Sequence, residues 1–189
     1  MRLRAAAAVF AGLMIGVGAA MAAAPYAGLQ QRPITSLSRD QIDDLRAGRG
    51  MGLALPAELN GYPGPRHVLE WADELELTPE QRQRTEMMFR EMQEQAVALG
   101  EQVIRSEAAL DRLFVEGHPS DGEILDAALA AARLQGTLRA HHLRYHLAMR
   151  KLLSPEQIER YGVLRGYAVP EKADGPHGHG GHGQGGHGP

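Results

Sequence analysis

The stretch from Pro79 to Glu116 constrains the fold more than any other, because after Pro79 it contains no proline and only one glycine, Gly100. Its apolar residues recur mostly at steps of three and four, a heptad pattern typical of helices that pack along a partner. These positions are Phe89, Met92, Ala96, Leu99, Val103, Leu110 and Leu113. Such a helix is about 57 Å long, whereas a compact globule of about 165 residues is only about 40 Å across. The sequence therefore predicts an elongated, all-α hairpin.

A second long helix is predicted after "GHPS" (117–120), capped by Ser120 or Asp121 and running to about Leu152. Shorter helices are predicted at 38–46, from Pro65 onward and at 155–167. The low aromatic content, 5%, favours helices over a β-sandwich. A single hairpin leaves one flank of its apolar seam open to water, so we expect a second copy to cover it in a homodimer.

The first residues are typical of a secretory leader, since Arg2 and Arg4 precede an uncharged run at 5–20 that is followed by small residues. We predict a signal peptide at 1–24 that is cleaved, which places the mature protein in the periplasm. The alternative is an uncleaved membrane anchor, because no charge follows until Arg32. The run is rich in alanine and glycine, however, and weakly hydrophobic for a spanning helix.

Three segments follow the leader. They are a Gly/Pro-rich N-terminal extension with a short helix at 25–65, a helical domain at 66–167, and a His/Gly-rich tail at 168–189 that is expected to be disordered. The formal net charge of −3 argues against a nucleic-acid partner. The absence of cysteine excludes disulfides and a lipid-attachment cysteine. No nucleophile motif or phosphate-binding glycine loop occurs, so we predict that the protein is not an enzyme and requires no cofactor.

Three copies of one short motif stand at predicted helix starts: "LTPEQ" at 77–81, "LSPEQ" at 153–157 and a looser "LSRDQ" at 37–41. The Thr or Ser hydroxyl accepts from the backbone N–H three residues on, and the Gln side chain reaches back to close a capping box. Each cap is worth about 1 kcal/mol. Helix capping alone therefore predicts only that three helices begin at these motifs. The motif residues of the two close copies are Leu77, Thr78, Gln81, Leu153, Ser154 and Gln157.

The two close copies, in a small helical chain with a leader and a His-rich tail, resemble the LTxxQ motif of the Spy/CpxP family. That family contains periplasmic refolding chaperones and includes zinc-resistance-associated and heavy-metal-sensor relatives. The resemblance covers roughly residues 66–167, and 25–65 has no counterpart in the family pattern. It implies a cradle-shaped, antiparallel homodimer of bent helical hairpins that binds unfolded or stress-damaged proteins without ATP. The alternatives are a periplasmic heavy-metal buffer or sensor, and a regulator that binds the periplasmic domain of a sensor kinase, as the CpxP branch does.

A client-binding face needs exposed apolar side chains interleaved with charge, and methionine suits promiscuous surfaces because it is flexible. Candidates for such a face are Met87, Met88, Phe89, Met92, Arg139 and Arg144. Phe89 and Met92 also lie on the heptad seam, and for these two a place in the core is the preferred interpretation. For the arginines, a merely solvated helix face is the preferred alternative.

Histidines suggest metal binding in two places. The tail carries His177, His179, His182 and His187 between glycines, a pattern that can wrap around Zn²⁺, Cu²⁺ or Ni²⁺. On the second long helix His142 and His146 are four residues apart and so share one face. They form a second candidate for metal, although an ordinary pair of surface histidines is the preferred interpretation.

Overall fold

The computed structural model describes residues 24–168, in which all regular secondary structure is helical. The elements are a 3-10 turn at Leu29–Gln31 and six α-helices: α1 (Arg39–Arg46), α2 (Leu55–Glu58), α3 (Pro65–Glu70), α4 (Pro79–Glu116), α5 (Asp121–Leu152) and α6 (Pro155–Leu164). The predicted all-α architecture, two long helices with short helices around them, is confirmed. The predicted signal peptide and the His/Gly-rich tail lie outside the described residues, apart from residues 24 and 168. Within the described part, no helix is long and apolar enough to cross a membrane.

Both long helices begin where the sequence predicts, because capping chemistry at their first turns is local. Thr78 and Ser120 are the N-caps, and their hydroxyls accept from the backbone N–H groups of Gln81 and Glu123. Gly117 ends α4 with a φ of 80°, a conformation that favours glycine. The boundaries of the hairpin therefore follow from residues within one turn of each end.

The hairpin is antiparallel and long. α4 has 38 residues, which corresponds to about 57 Å. Side chains of α5 reach back to α4 along its length: Gln135 Nε2 donates to Glu107 Oε1 at 2.6 Å, and His141 Nε2 lies 2.8 Å from the carbonyl oxygen of Met92. These contacts fix how the two long helices lie against each other.

The N-terminal segment, residues 24–64, packs along the hairpin and shares its main core. That core consists of Ile34, Leu37 and Leu45 from the segment and Ala96, Val103, Ile104 and Leu138 from the hairpin. The segment comes close to α4 at Gly100, where a Cβ atom added to the glycine would stand 2.8 Å from the carbonyl carbon of Leu45. The segment thus covers a flank of the seam for which a second copy was expected. Homodimerisation itself stays a prediction.

A second core cluster joins α3 and α6 to the end of the hairpin near residue 79. Its buried members are Val68, Leu75, Met149, Leu153 and Tyr161. Leu138 belongs to the first cluster and Met149 to the second, and residues 139–148 of α5 contribute no side chain to either cluster. That stretch carries His142 and His146.

α2 was not predicted from the sequence. It has only four residues, begins without a side-chain cap and lies in the Gly/Pro-rich region, so its sequence shows no helical periodicity. Its last residue, Glu58, is buried, and this placement matters for the site described next.

Candidate functional site

A cleft of about 380 Å³ lies between the N-terminal segment and the hairpin, at the stretch of α5 between the two core clusters. Its wall on the segment side includes the glycine-rich turn at 48–52 and the end of α2, and its other wall comes from α4 and α5. The polar side chains that matter here are Glu58, His142, His146, Arg165 and Tyr167. Apolar contributions come from Met51, Phe89 and Met92. We call this space the cleft.

Glu58 is the centre of the polar contacts in the cleft, and only 7% of its surface is exposed. Its Oε1 accepts a hydrogen bond from the Tyr161 hydroxyl and another, at 3.4 Å, from the Tyr167 hydroxyl. Arg165 Nε lies 3.4 Å from the same oxygen without making a hydrogen bond. The other oxygen, Oε2, is buried with no hydrogen-bond partner and stands 3.6 Å from His146 Nδ1. One carboxylate oxygen is thus firmly held and the other is free.

Tyr161 remains a phenol in this arrangement. Burial and the adjoining Glu58 carboxylate raise the pKa of Tyr161 above its ordinary range. The Tyr161 hydroxyl therefore keeps its proton at physiological pH and donates it to Glu58 Oε1.

His142 and His146 are buried, so the preferred interpretation of them as a surface pair was wrong. The backbone of the N-terminal segment passes directly over them. A Cβ atom added to Gly64 would stand 2.9 Å from His146 Cε1, and a Cβ atom added to Gly50 would stand 3.9 Å from His142 Nδ1. Glycine at 64 permits this close approach, and the segment therefore closes a helix face that helical spacing alone leaves open.

Both imidazoles line the cleft, and their ring nitrogens differ in hydrogen bonding. His146 Nδ1 is 2.7 Å from the Tyr62 carbonyl oxygen; because a carbonyl only accepts, Nδ1 is the donor in this bond. His142 is 3% exposed and its Nε2 is buried without a partner. Burial, together with the neighbouring His141 and His146, lowers the pKa of His142 to about 4. His142 is therefore neutral at pH 7.

The lowered pKa of His142 predicts a pH-dependent stability. The unfolded chain takes up a proton at this position below about pH 6.5, whereas the folded chain does so only near pH 4. Between these two pH values, His142 takes up a proton more readily in the unfolded chain than in the folded one. The free energy of unfolding therefore decreases as the pH falls from 6.5 toward 4. Urea unfolding in chelator at several pH values in this window should show a smaller loss for His142→Gln than for the unsubstituted protein. Equal losses would mean that His142 does not titrate as the structure indicates, and His118→Asn, on the exposed turn, is the control.

The LTPEQ and LSPEQ motifs lie together at the C-terminal end of α5 and bond to each other. Gln81 Nε2 donates to Gln157 Oε1 at 2.9 Å, and Gln157 Nε2 donates to Gln81 Oε1 at 3.0 Å. Gln81 also donates to the Leu152 carbonyl, and Gln157 to the Leu75 carbonyl, each at 3.1 Å. Both glutamines accept from their own N-cap N–H groups as the capping box requires. We call this arrangement the glutamine clasp. The third copy, at 37–41, forms the capping box alone.

The candidate client-binding residues do not form one surface. Met92 is buried, Phe89 and Met88 are half-buried, and Met87 is exposed. Phe89 and Met92 line the cleft, and Met88 packs against the second core cluster. Arg139 and Arg144 are exposed on α5.

Sequence reasoning did not identify Glu58, Tyr161, Arg165 or Tyr167. Tyr161 and Glu58 are separated by 103 positions along the chain, and no local spacing relates them. The sequence contains only a weak indication that Glu58 matters, since Glu58 is the one acidic residue between Asp44 and Glu70. The His142–His146 spacing was the part of the site that local pattern could find.

Comparison of the chain with protein families, with curated proteins and with solved structures finds no match. Among residues 24–168, no three His, Asp or Glu side chains are arranged to hold a metal ion as they stand. The cleft does hold two buried side-chain atoms without a hydrogen-bond partner, His142 Nε2 and Glu58 Oε2. Each such atom costs about 1–3 kcal/mol when left unpaired.

Proposed function

We propose that the protein binds one divalent transition-metal ion in the cleft, through His142, His146 and Glu58, and that it serves as a heavy-metal buffer or sensor in the periplasm. The observation that carries this proposal is the pair of buried side-chain atoms without a hydrogen-bond partner, His142 Nε2 and Glu58 Oε2. A bound ion would recover the free energy that these atoms lose by burial.

The chemistry of the donors favours a borderline-soft metal such as Zn²⁺, Cu²⁺ or Ni²⁺. Two histidines at positions i and i+4 share a helix face, and this spacing binds zinc in other helices. The hydrogen bond from His146 Nδ1 to the Tyr62 carbonyl is the support that ligating histidines usually have. His142 is neutral at pH 7, as a ligand must be.

Glu58 is the proposed oxygen donor, and its side chain must move to join the two imidazoles, because no three His, Asp or Glu side chains in residues 24–168 stand in a metal-binding arrangement. Its Oε2 has no hydrogen bond to lose, while Oε1 stays anchored by Tyr161 and faces the Arg165 guanidinium. The resulting set has two nitrogen donors and one oxygen donor, which leaves a tetrahedral ion one open position.

Zn²⁺ affinity, measured by competition with a chromophoric chelator, tests this proposal. The background is the tail variant, in which His177, His179, His182 and His187 are each replaced by Asn, so that the tail cannot bind. We expect one ion per chain and a loss of affinity of roughly 100-fold in His142→Gln and in Glu58→Gln. His118→Asn is the matched control, because His118 is exposed and its positive φ suits Asn. Equal affinity in all four proteins would refute the cleft as a metal site.

A second candidate function is that of a Spy/CpxP-like, ATP-independent chaperone, and a different observation favours it. The far end of the hairpin exposes large apolar side chains: Phe114, Val115, Leu125 and Leu129 are 60%, 78%, 58% and 44% exposed. Neither core cluster includes them. Such a surface suits an unfolded client, or the second copy of a homodimer.

Light scattering from an aggregating client tests the chaperone proposal in the presence of chelator. We expect the protein to suppress aggregation, and we expect Phe114→Ser with Leu125→Ser to abolish the effect without lowering thermal stability, since both side chains are exposed. Arg139→Ser with Arg144→Ser, also on exposed positions, shows whether charge contributes. Full suppression by the Phe114/Leu125 variant would place client binding elsewhere.

A further inference from the structure

The side of α5 that faces solvent carries four leucines: Leu125, Leu129, Leu143 and Leu147. The first, second and fourth are 58%, 44% and 53% exposed, the third is half-buried, and neither core cluster includes them. Because side chains turn by about 100° per residue around an α-helix, these four positions lie within about 40° of one another. The buried side of the same helix, with Ala131, Leu138 and Met149, lies roughly opposite. We call the solvent-facing side the outer face of α5.

The leucines are placed symmetrically about Gly136, near the middle of α5. Leu125 and Leu147 each lie 11 positions from Gly136, and Leu129 and Leu143 each lie 7 positions from it. A two-fold axis at Gly136 therefore places Leu125 opposite Leu147 of an antiparallel second copy, and Leu129 opposite Leu143. The same surface then serves both copies, as the interface of a two-fold symmetric dimer requires.

The centre of the outer face consists of small residues, Ala132, Gly136 and Ala140, and all three are exposed. Glycine weakens a helix interior relative to alanine, yet the fold of one chain does not require it at 136. Apart from its neighbours in the helix, no heavy atom of residues 24–168 stands within 4 Å of a Cβ atom added to Gly136. Small side chains at this centre allow the backbone of a second helix to come close.

The charges along α5 favour an antiparallel partner. Before Gly136 the helix has three acidic residues and one basic residue, and after it four basic residues and no acidic one. Asp126 lies 10 positions before Gly136 and Arg144 lies 8 positions after it. Antiparallel packing therefore sets Asp126 about 3 Å along the axis from Arg144 of the second copy, on the same side of the contact. Both are exposed, and within residues 24–168 neither forms an ion pair.

We propose that a second copy of this chain packs antiparallel on the outer face of α5, with the two-fold axis at Gly136. The contact extends over about 33 Å, from Leu125 to Leu147. A single pair of helices is a small interface, so we expect a dissociation constant in roughly the micromolar range. At lower concentrations the chain is a monomer, in which a substitution at Gly136 changes helix propensity alone. Dimerisation does not depend on metal, since His142 and His146 belong to the buried side of α5.

Analytical ultracentrifugation in chelator, over concentrations on both sides of the expected dissociation constant, tests association. We expect a reversible equilibrium between monomer and dimer. Leu129→Ser with Leu147→Ser should weaken dimerisation at least about tenfold and leave the unfolding of the monomer unchanged, because both side chains are exposed. Leu59→Ser is the matched control: Leu59 is 57% exposed but lies in the N-terminal segment, so this variant should dimerise like the unsubstituted protein.

Charge reversal tests the antiparallel direction. Asp126→Arg and Arg144→Asp should each weaken dimerisation roughly three- to tenfold, because each sets like charges beside one another, and the two combined in one chain should restore it.

Single introduced cysteines test the position of the two-fold axis, since the chain has no cysteine of its own. Helix axes about 8–10 Å apart bring the two Cα atoms at position 136 within the range of a disulfide, about 4.4–6.8 Å. Mild oxidation of Gly136→Cys should therefore give a covalent dimer. Leu125→Cys should give none, because its own copy lies about 33 Å away along the antiparallel pair.

Several results would overturn this dimer. A monomer at all concentrations would do so, as would a dimer that Leu129→Ser with Leu147→Ser leaves intact. Cross-linking of Leu125→Cys as readily as Gly136→Cys, or a combined charge reversal that fails to restore association, would contradict the antiparallel arrangement. If the protein stays monomeric and the Leu129/Leu147 variant no longer suppresses aggregation of a client protein, the outer face binds clients and the dimer is wrong.

Discussion

Replacement of Gly100 by alanine is expected to lower the free energy of unfolding by at least about 2 kcal/mol, although alanine is the better helix former. The added Cβ would stand 2.8 Å from the carbonyl carbon of Leu45 and closer still to its oxygen. Both are backbone atoms, so no side chain can turn aside. Relief requires α1 to move away from α4, which opens the main core around Leu45, Ala96 and Val103.

Gly136→Ala is the matched control for this prediction. Gly136 also lies inside a long helix, but nothing stands within 4 Å of a Cβ added there. Only helix propensity changes, so the substitution should stabilise the protein by about 0.5–1 kcal/mol. Urea unfolding of both variants at one protein concentration measures the two effects. Stabilisation by Gly100→Ala would mean that the N-terminal segment does not pack on α4 as described.

Replacement of Gln157 by alanine is expected to cost about 2–4 kcal/mol, because one side chain makes four hydrogen bonds of about 1 kcal/mol each. It accepts from the Ser154 N–H and from Gln81 Nε2, and it donates to Gln81 Oε1 and to the Leu75 carbonyl. The site is half-buried, so water replaces these partners only in part.

Gln41→Ala is the control for the clasp. Gln41 closes the same capping box with Ser38, yet it is exposed and makes no hydrogen bond to a distant element. Its loss should cost no more than about 0.5–1 kcal/mol. A double-mutant cycle of Gln81→Ala and Gln157→Ala should show a coupling above about 0.5 kcal/mol, as expected for residues in one network. If Gln41→Ala and Gln157→Ala lower the free energy of unfolding equally, the bonds between Gln81 and Gln157 add no stability beyond helix capping.

Helix ends were well predicted because the signals that mark them act within one turn. Ser38, Thr78, Ser120 and Ser154 each accept from the N–H three residues on, and these spacings are visible in the sequence. The heptad seam likewise predicted that Met92, Ala96 and Val103 are buried. α2 escaped prediction because four residues show no periodicity.

What the repeated motif does was only half predictable. The capping box of each copy is local, and the sequence indicated it. The reciprocal bond between Gln81 and Gln157 joins residues 76 positions apart, and it exists because α4 and α6 begin next to each other in the folded hairpin. The same five letters at 37–41 make no such bond, since α1 begins elsewhere.

The sequence by itself determined the helical class, the positions of the long helices and the helix face shared by His142 and His146, because these depend on periodicity and on contacts within a few residues. Only the tertiary structure decided that this face is buried. The N-terminal segment lies over the hairpin, and Gly64 lets its backbone approach His146. The same packing brings Glu58 to Tyr161 and Arg165. Contacts across a hundred residues depend on how whole elements pack, and the free energy that selects that packing is spread over the entire core.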